Sequence, residues 1–345
     1  MTQDEWKHAK RATAAQVSCA AASAAIVVDF SLTPDQELLR DTGRALVREH
    51  CPSSLVRAYL DDPTVADPLT ARLTEFTGLA TGPAVDLCVF LEELGAALVP
   101  GAFVPTVALF APVVAAIGDD ALLARVADGE VTGTITTRWP YELPAIEGDR
   151  VDVVAVVDED AVALVERPGG RVLEPFDLSR RLFEVSRDVR LPPLEGELRD
   201  PSRGLARATV ALSAELIGAT RWMLDATLDY VKIREQFDRP IGSFQALQHR
   251  LADMSLLFER AWSSVYWAAM AIDADDDERH QAVHVAKSSA SEAARHIAGE
   301  AIQMHGGIGF TWDHDLHLYI RRAFASEELL GTTAWHRDRL AELVL

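Results

Sequence analysis

The feature that most narrows what this chain can become is a helical period that returns after Gly204 and lasts to the C-terminus. Three long segments carry it, at about Leu205 to Arg234, Phe244 to Ile272 and Glu278 to Met304. In the middle one Leu247, Leu251, Met254, Phe258, Trp262, Val265 and Ala269 recur at spacings of three and four, the pattern of a seam in a helix bundle. The third, AVHVAKSSASEAARHIAGEAIQ, is built mostly from small residues, so its neighbours are expected at close axial distance. The acidic DADDDER between them reads as a solvated loop.

Upstream the texture differs twice. Thr33, Pro34 and Gln36 predict a capped helix start, with Leu38, Leu39, Leu46 and Val47 as its apolar stripe. Helical patterns continue through LTARLTEF, AVDLCVFLEELGAAL and DDALLARVADG, broken at turns such as VPGAFVP. From Glu130 the segments VTGTITTRW, RVDVVAVVDED, AVALVERPGG and RLFEVSRDVRL are short and β-branched, which predicts a small β unit ending near Pro193. The expected fold is α+β. An extension, read as disordered, covers 1–28, an N-terminal helical domain 29–128, a shortened middle β domain 129–200, and a C-terminal helical bundle, four-helix in kind, 201–345.

Charge removes some partners. A formal net charge of -20 repels phosphate backbones and anionic lipid, and no local basic patch offsets it. Nucleic acid and membrane are therefore not expected as partners. Cys19, Cys51 and Cys88 are odd in number and lack metal-ligand spacing, which argues against a disulfide framework or a structural metal and makes a reducing cytoplasm the expected location. Lys7, Lys10 and Arg11 before an Ala-rich run superficially copy a signal peptide, yet nothing later in the chain reads as secreted. The histidines at 249, 284, 296, 305, 314 and 317 are scattered over helices without paired ligand spacing, so inter-helix or surface hydrogen bonding is expected of them.

The densest run of polar and aromatic residues is REQFDRPIGSFQALQHRLADM, from Arg234 to Met254. Arg234, Phe237, Ile241 and Gln245 match an Arg-x-x-Phe-Gly-x-x-(Ile/Leu)-x-x-x-Gln pattern, with Asp238 in place of its glycine. In QMHGGIGF, Gln303, Gly306, Gly307 and Gly309 match a Gln-x-x-Gly-Gly-x-Gly segment. With the element order, these strings resemble the acyl-CoA dehydrogenase family from about Phe30 to Val344. The resemblance implies an acyl-CoA dehydrogenase-like fold and FAD shared across a subunit interface, with Arg234, Gln236, Phe237, Phe244, Gln245, Gln303, Gly306 and Gly307 around its ADP half. An arginine fork suits a pyrophosphate, aromatic stacking and amides suit an adenine, and glycines admit close backbone approach.

Three departures bear on catalysis. The family's Thr-Glu-Pro-x-x-Gly-Ser-Asp loop and Trp-Ile-Thr-Asn strand are missing from the β region. The usual catalytic Glu before a Gly-Thr is here Leu330, and the alternative base position on the first bundle helix is Ala208. No catalytic residue is therefore expected. The resemblance then implies the non-catalytic subunit of a heteromeric, α2β2 acyl-CoA dehydrogenase of an actinobacterial kind. Its partners would be a second subunit carrying the catalytic Glu, an acyl-CoA substrate (a sterol side-chain thioester by analogy), and an electron-transfer flavoprotein. Two alternatives stay open: a self-sufficient dehydrogenase using Glu328, or its neighbour Glu327, as base, and a flavin-free structural homologue.

Overall fold

The first helix starts as its sequence dictates. The backbone N–H of Gln36 donates to Thr33 Oγ1 at 3.3 Å and that of Thr33 donates to Gln36 Oε1 at 3.0 Å, a reciprocal cap that opens α1, Pro34–His50. The computed structural model describes residues 30–159, 161–190 and 200–345. The expected 1–28 extension and the end of the β region near Pro193 lie outside the described residues. The chain divides into a leading unit, Met1–Ser31, and a second unit, Leu32–Leu345, which holds the helices and strands of the described residues.

Helices α2 (Ser53–Tyr59), α3 (Asp67–Leu73) and α4 (Ala84–Ala96) follow; a π-helical turn, Pro105–Phe110, leads into α5 (Ala111–Ala116), and α6 (Asp120–Ala127) closes the first helical stretch. The expected stripe on α1 is partly wrong: Leu38 is 67% exposed, whereas Gly43 is buried with Val47 against α4. The apolar stripe placed Leu38 inward, but the buried face holds the small residue that lets the Phe90 ring approach.

Among the described residues two three-stranded sheets form the middle. In one, β1 (Gly133–Thr137) pairs parallel with β3 (Val153–Asp158), which pairs antiparallel with β4 (Ala161–Glu166). In the other, β2 (Ala145–Ile146) and β5 (Gly170–Leu173) flank β6 (Leu182–Val185). Val154, Val156, Ala145, Phe183 and Val185 belong to one buried cluster, the burial that β-branched strands supply.

The remaining helices are α7 (Pro201–Ile233), α8 (Gln245–Asp273), α9 (Arg279–His305), α10 (Leu316–Glu328) and α11 (Thr333–Val344), with a two-residue hairpin, β7 (Glu235–Gln236) and β8 (Arg239–Pro240), between α7 and α8. Asp200 caps α7 by accepting from the Ser202 N–H at 2.9 Å, and Pro201 sits at its first position. The small-residue reading of α9 holds, since Ala282, Ala286, Ala290, Ala293, Ala294, Ala298 and Ala301 are fully buried. The acidic stretch is solvated as expected, with Asp273 to Glu278 exposed. Asp273 reaches across to accept from the backbone N–H groups of Ala84 (2.6 Å) and Val85 (3.0 Å), capping α4 from another helix.

Buried polar groups join these layers. Arg322 on α10 donates to Asp177 Oδ2 at 2.5 Å, to Ser179 Oγ at 2.7 Å and to Glu215 of α7; Arg180 pairs with the other oxygen of Glu215 and donates to Ser326 Oγ at 2.8 Å. Burial opposes the Asp177 charge, yet the guanidiniums of Arg322 and Arg180 hold its carboxyl below the usual range. A second cluster centres on Glu92 of α4, which accepts from Tyr266 (2.9 Å) and Trp262 (3.2 Å) on α8 and pairs with Arg221 of α7. Among the described residues no helix is long and apolar enough to cross a membrane. Cys51 and Cys88 are free and buried.

Candidate functional site

Antiparallel pairing of α8 and α9 puts the start of one beside the end of the other, and an ion pair between Arg250 and Glu300 fixes that register one turn in. The end of α7 joins them through Tyr230, which stacks on His305 with ring centroids 4.3 Å apart. Arg234, Gln245, Gln303 and the Gly306–Gly307 turn thereby meet at one end of the bundle. Sequence separation alone could not show this.

Arg234 ends α7 in extended conformation, its N–H donating to Tyr230 O at 2.9 Å. The hairpin that follows turns at Phe237 (φ +54°) and Asp238 (φ +59°), the pair of left-handed residues of a type I′ turn. Asp238 stands where the resembling pattern has glycine, and aspartate is among the few residues that tolerate this conformation. Phe237 is thrown outward, 86% exposed, with its ring edge-on to Phe244 at 6.1 Å; the Arg239 guanidinium lies 4.1 Å above the Phe244 ring. Gln236 is exposed beside them and donates to the Glu235 carbonyl at 2.8 Å.

Two features of this end are of the kind that suit an anion. Phe244 occupies the N-cap of α8 without a side-chain hydrogen bond; its carbonyl takes the Leu247 N–H at 3.0 Å, which leaves the N–H groups of Gln245 and Ala246 at the start of a 29-residue helix without a capping side chain. Arg234 and Arg239 form no ion pair among the described residues, whereas Arg44, Arg57, Arg150, Arg180 and Arg322 are all ion-paired. On the α9 side, Gln303 is exposed and Gly306 takes φ +60°, ψ -139°, which ends the helix. A Cβ built on Gly306 or Gly307 meets nothing within 4 Å, so open space lies above both.

The base positions tell the opposite story. Leu330 is fully buried at φ +56° and Ala208 is fully buried. Glu327 is spent on Arg295 at 3.1 Å, and Glu328 is exposed on α10. Near Leu330 lies a cavity of about 430 Å³ walled by Trp139, Tyr141, Leu205, Thr209, His284, Trp335 and His336, and neither glutamate lines it.

Sequence reading missed this cavity and the histidine pair in it. His336 Nε2 lies 2.8 Å from the Leu330 carbonyl and its Nδ1 lies 2.8 Å from Nδ1 of His284. His284 was among the scattered histidines; its partner comes from a helix 52 residues on, and no spacing rule joins them. Among the described residues no group of three or more His, Cys, Asp or Glu is placed to hold a metal ion.

Burial lowers the imidazole of His284 to about 4, with Arg339 and His280 adding to the shift, and lowers that of His336 to about 3, the Leu330 carbonyl working the other way and Lys287 adding to it. The unfolded chain takes up these protons near pH 6.5, while the folded chain resists them. Their contribution is intact above about pH 6.5 and is lost as pH falls towards the folded values, by about 1.4 kcal/mol per pH unit for each proton difference at most. His336→Gln should flatten the fall of the urea midpoint between about pH 6.5 and 4; an unchanged slope would exclude this linkage.

Comparison with known proteins adds three findings. Residues 199–345 match the family model of the acyl-CoA dehydrogenase C-terminal domain. The chain is 35% identical over 314 residues to acyl-CoA dehydrogenase IpdE2 of Mycolicibacterium smegmatis, covering 87% of this chain and 96% of that one. Among solved structures it resembles the Tcur3481–Tcur3483 steroid ACAD (TM-score 0.78, 24% identity, 90% of this chain and 97% of that one) and the ChsE4–ChsE5 complex of Mycobacterium tuberculosis (TM-score 0.76, 22% identity, 91% and 98%).

Proposed function

This chain belongs to the acyl-CoA dehydrogenase family, and we propose that within it the chain is the non-catalytic subunit of a heteromeric enzyme, contributing the ADP-binding half of a shared FAD site. The observation that carries this reading is the contrast between its two regions. The bundle end keeps two arginines outside any ion pair among the described residues, a helix start with no side-chain cap and an unobstructed glycine turn, while both base positions hold buried apolar residues.

The donor set fits a dinucleotide. Arg234, with the N–H groups at the start of α8, would take the pyrophosphate, Phe237 and Phe244 present faces for stacking, and Gln236, Gln245 and Gln303 offer amides to an adenine or ribose. Gly306 and Gly307 leave the backbone approachable. FAD supplies the hydride acceptor for α,β-dehydrogenation of an acyl-CoA when bound. This chain's residues hold the nucleotide end of it, and the partner subunit supplies the carboxylate that takes the α-proton. An electron-transfer flavoprotein reoxidises the complex. The IpdE2 match supports an acyl-CoA substrate, the likeness to a steroid ACAD supports a steroid-derived one, and the likeness to the ChsE4–ChsE5 complex supports a heteromeric assembly.

The test is flavin retention. In the complex co-purified with its partner, Arg234→Ala should weaken FAD binding about tenfold or more, the scale of a lost charge-assisted hydrogen bond, measured as flavin absorbance per complex on dilution. Full retention at low concentration would remove Arg234 from the site. Yellow protein from this chain expressed alone, bleached by an acyl-CoA, would overturn the division of labour.

A further inference from the structure

The 430 Å³ cavity described above has a hydrogen-bonding polarity that follows from its partners. A carbonyl oxygen only accepts, so His336 Nε2 carries a proton and donates to Leu330 O at 2.8 Å. With that ring neutral, its Nδ1 is a bare acceptor, and the 2.8 Å contact with His284 Nδ1 requires His284 to donate there. His284 Nε2 is then left as a lone pair, and no hydrogen bond within the described residues uses it. The low basicity of both rings keeps them in this neutral arrangement.

Ser202, Thr209 and His280 also line the cavity, and the rest of its wall is mostly apolar and aromatic. Tyr141 and Trp335 meet edge to face at 5.3 Å, and the His284 ring meets Trp335 at 5.7 Å. At the mouth stands Arg339, exposed, 5.9 Å from the Trp335 ring centroid and paired with the exposed Glu342 at 2.5 Å. A volume of this size suits a small multi-ring molecule.

We propose that this cavity is a second binding site, for a flat ring-containing molecule that carries one hydroxyl or N–H group and one anionic group, His284 Nε2 accepting from the first and Arg339 pairing with the second. His336 is a positioning residue, fixing the tautomer through the Leu330 carbonyl. The site stands apart from the bundle end that carries the nucleotide-binding reading, and it does not depend on that reading.

Two probes isolate the acceptor: 6-hydroxy-2-naphthoate and 2-naphthoate, which differ only by the hydroxyl, titrated by fluorescence into the full-length chain. The hydroxylated probe should bind at least about fivefold more tightly, and His284→Phe should erase that preference while leaving 2-naphthoate within about twofold. Arg339→Met should weaken both probes. Failure of either probe to bind, equal affinities in the unmodified chain, or a preference that survives in His284→Phe would each overturn the proposal. Nitrogen-15 spectra of the unmodified chain give a check that no folding defect can confuse. His284 should appear at neutral pH as the Nδ1–H tautomer, and an Nε2–H tautomer would defeat the assignment.

Discussion

Arg322→Met should lower the unfolding free energy by about 3–5 kcal/mol, the cost of removing one partner from a buried charge cluster. Arg322 is 1% exposed and bridges Asp177, Ser179 and Glu215, tying the β region to α7 and α10. Its loss leaves Asp177 and Glu215 sharing the guanidinium of Arg180 alone, inside the protein. A typical domain has about 5–15 kcal/mol in total, so the variant should be severely destabilised. Arg322→Lys should recover only part, because an ammonium cannot replace a fork that serves three partners. Urea unfolding decides the matter: a loss below about 1 kcal/mol for Arg322→Met would mean that Arg180 rearranges to compensate.

Gly218→Ala is expected to be comparably damaging, by about 3 kcal/mol or more, although alanine is the better helix former by about 1 kcal/mol. A Cβ on Gly218 would lie 1.8 Å from the Glu92 carbonyl oxygen, and one on Gly95 would lie 1.8 Å from that of Glu215. Helices α4 and α7 therefore touch backbone to backbone, each at a glycine facing the other's carbonyl, and no rotamer change can relieve the contact. The control has the opposite sign. Gly299 on α9 is exposed with nothing within 4 Å of its built Cβ, so Gly299→Ala should stabilise by about 0.5–1 kcal/mol. Equal effects at the two positions would show that packing at the α4–α7 crossing is not the cause.

The glycines illustrate what was legible. Gly306 could be read from the sequence because a Gln-x-x-Gly-Gly-x-Gly string marks a helix end with special backbone, and the structure gives it φ +60°. Gly95 and Gly218 could not, because a glycine inside a helical period looks the same whether a second helix crosses there or not. Leu38 shows the same limit in reverse: the period placed it inward, and only the approach of Phe90 over Gly43 decides which side of α1 is buried.

The sequence by itself determined the element order, the cap at Thr33, the packed seam of α8, and the local chemistry of the Arg234 and Gly306 turns. Each of these depends on residues close together in the chain, where backbone preference and side-chain period act directly. Only the tertiary structure decided that those two turns share one end of the bundle, that Asp273 caps a helix 189 residues away, and that His284 meets His336. It also placed Arg322 where two carboxylates need it. These are pairings between surfaces whose partners are chosen by packing the whole core, and a buried charge or a neutral imidazole acquires its role from the desolvation that packing imposes.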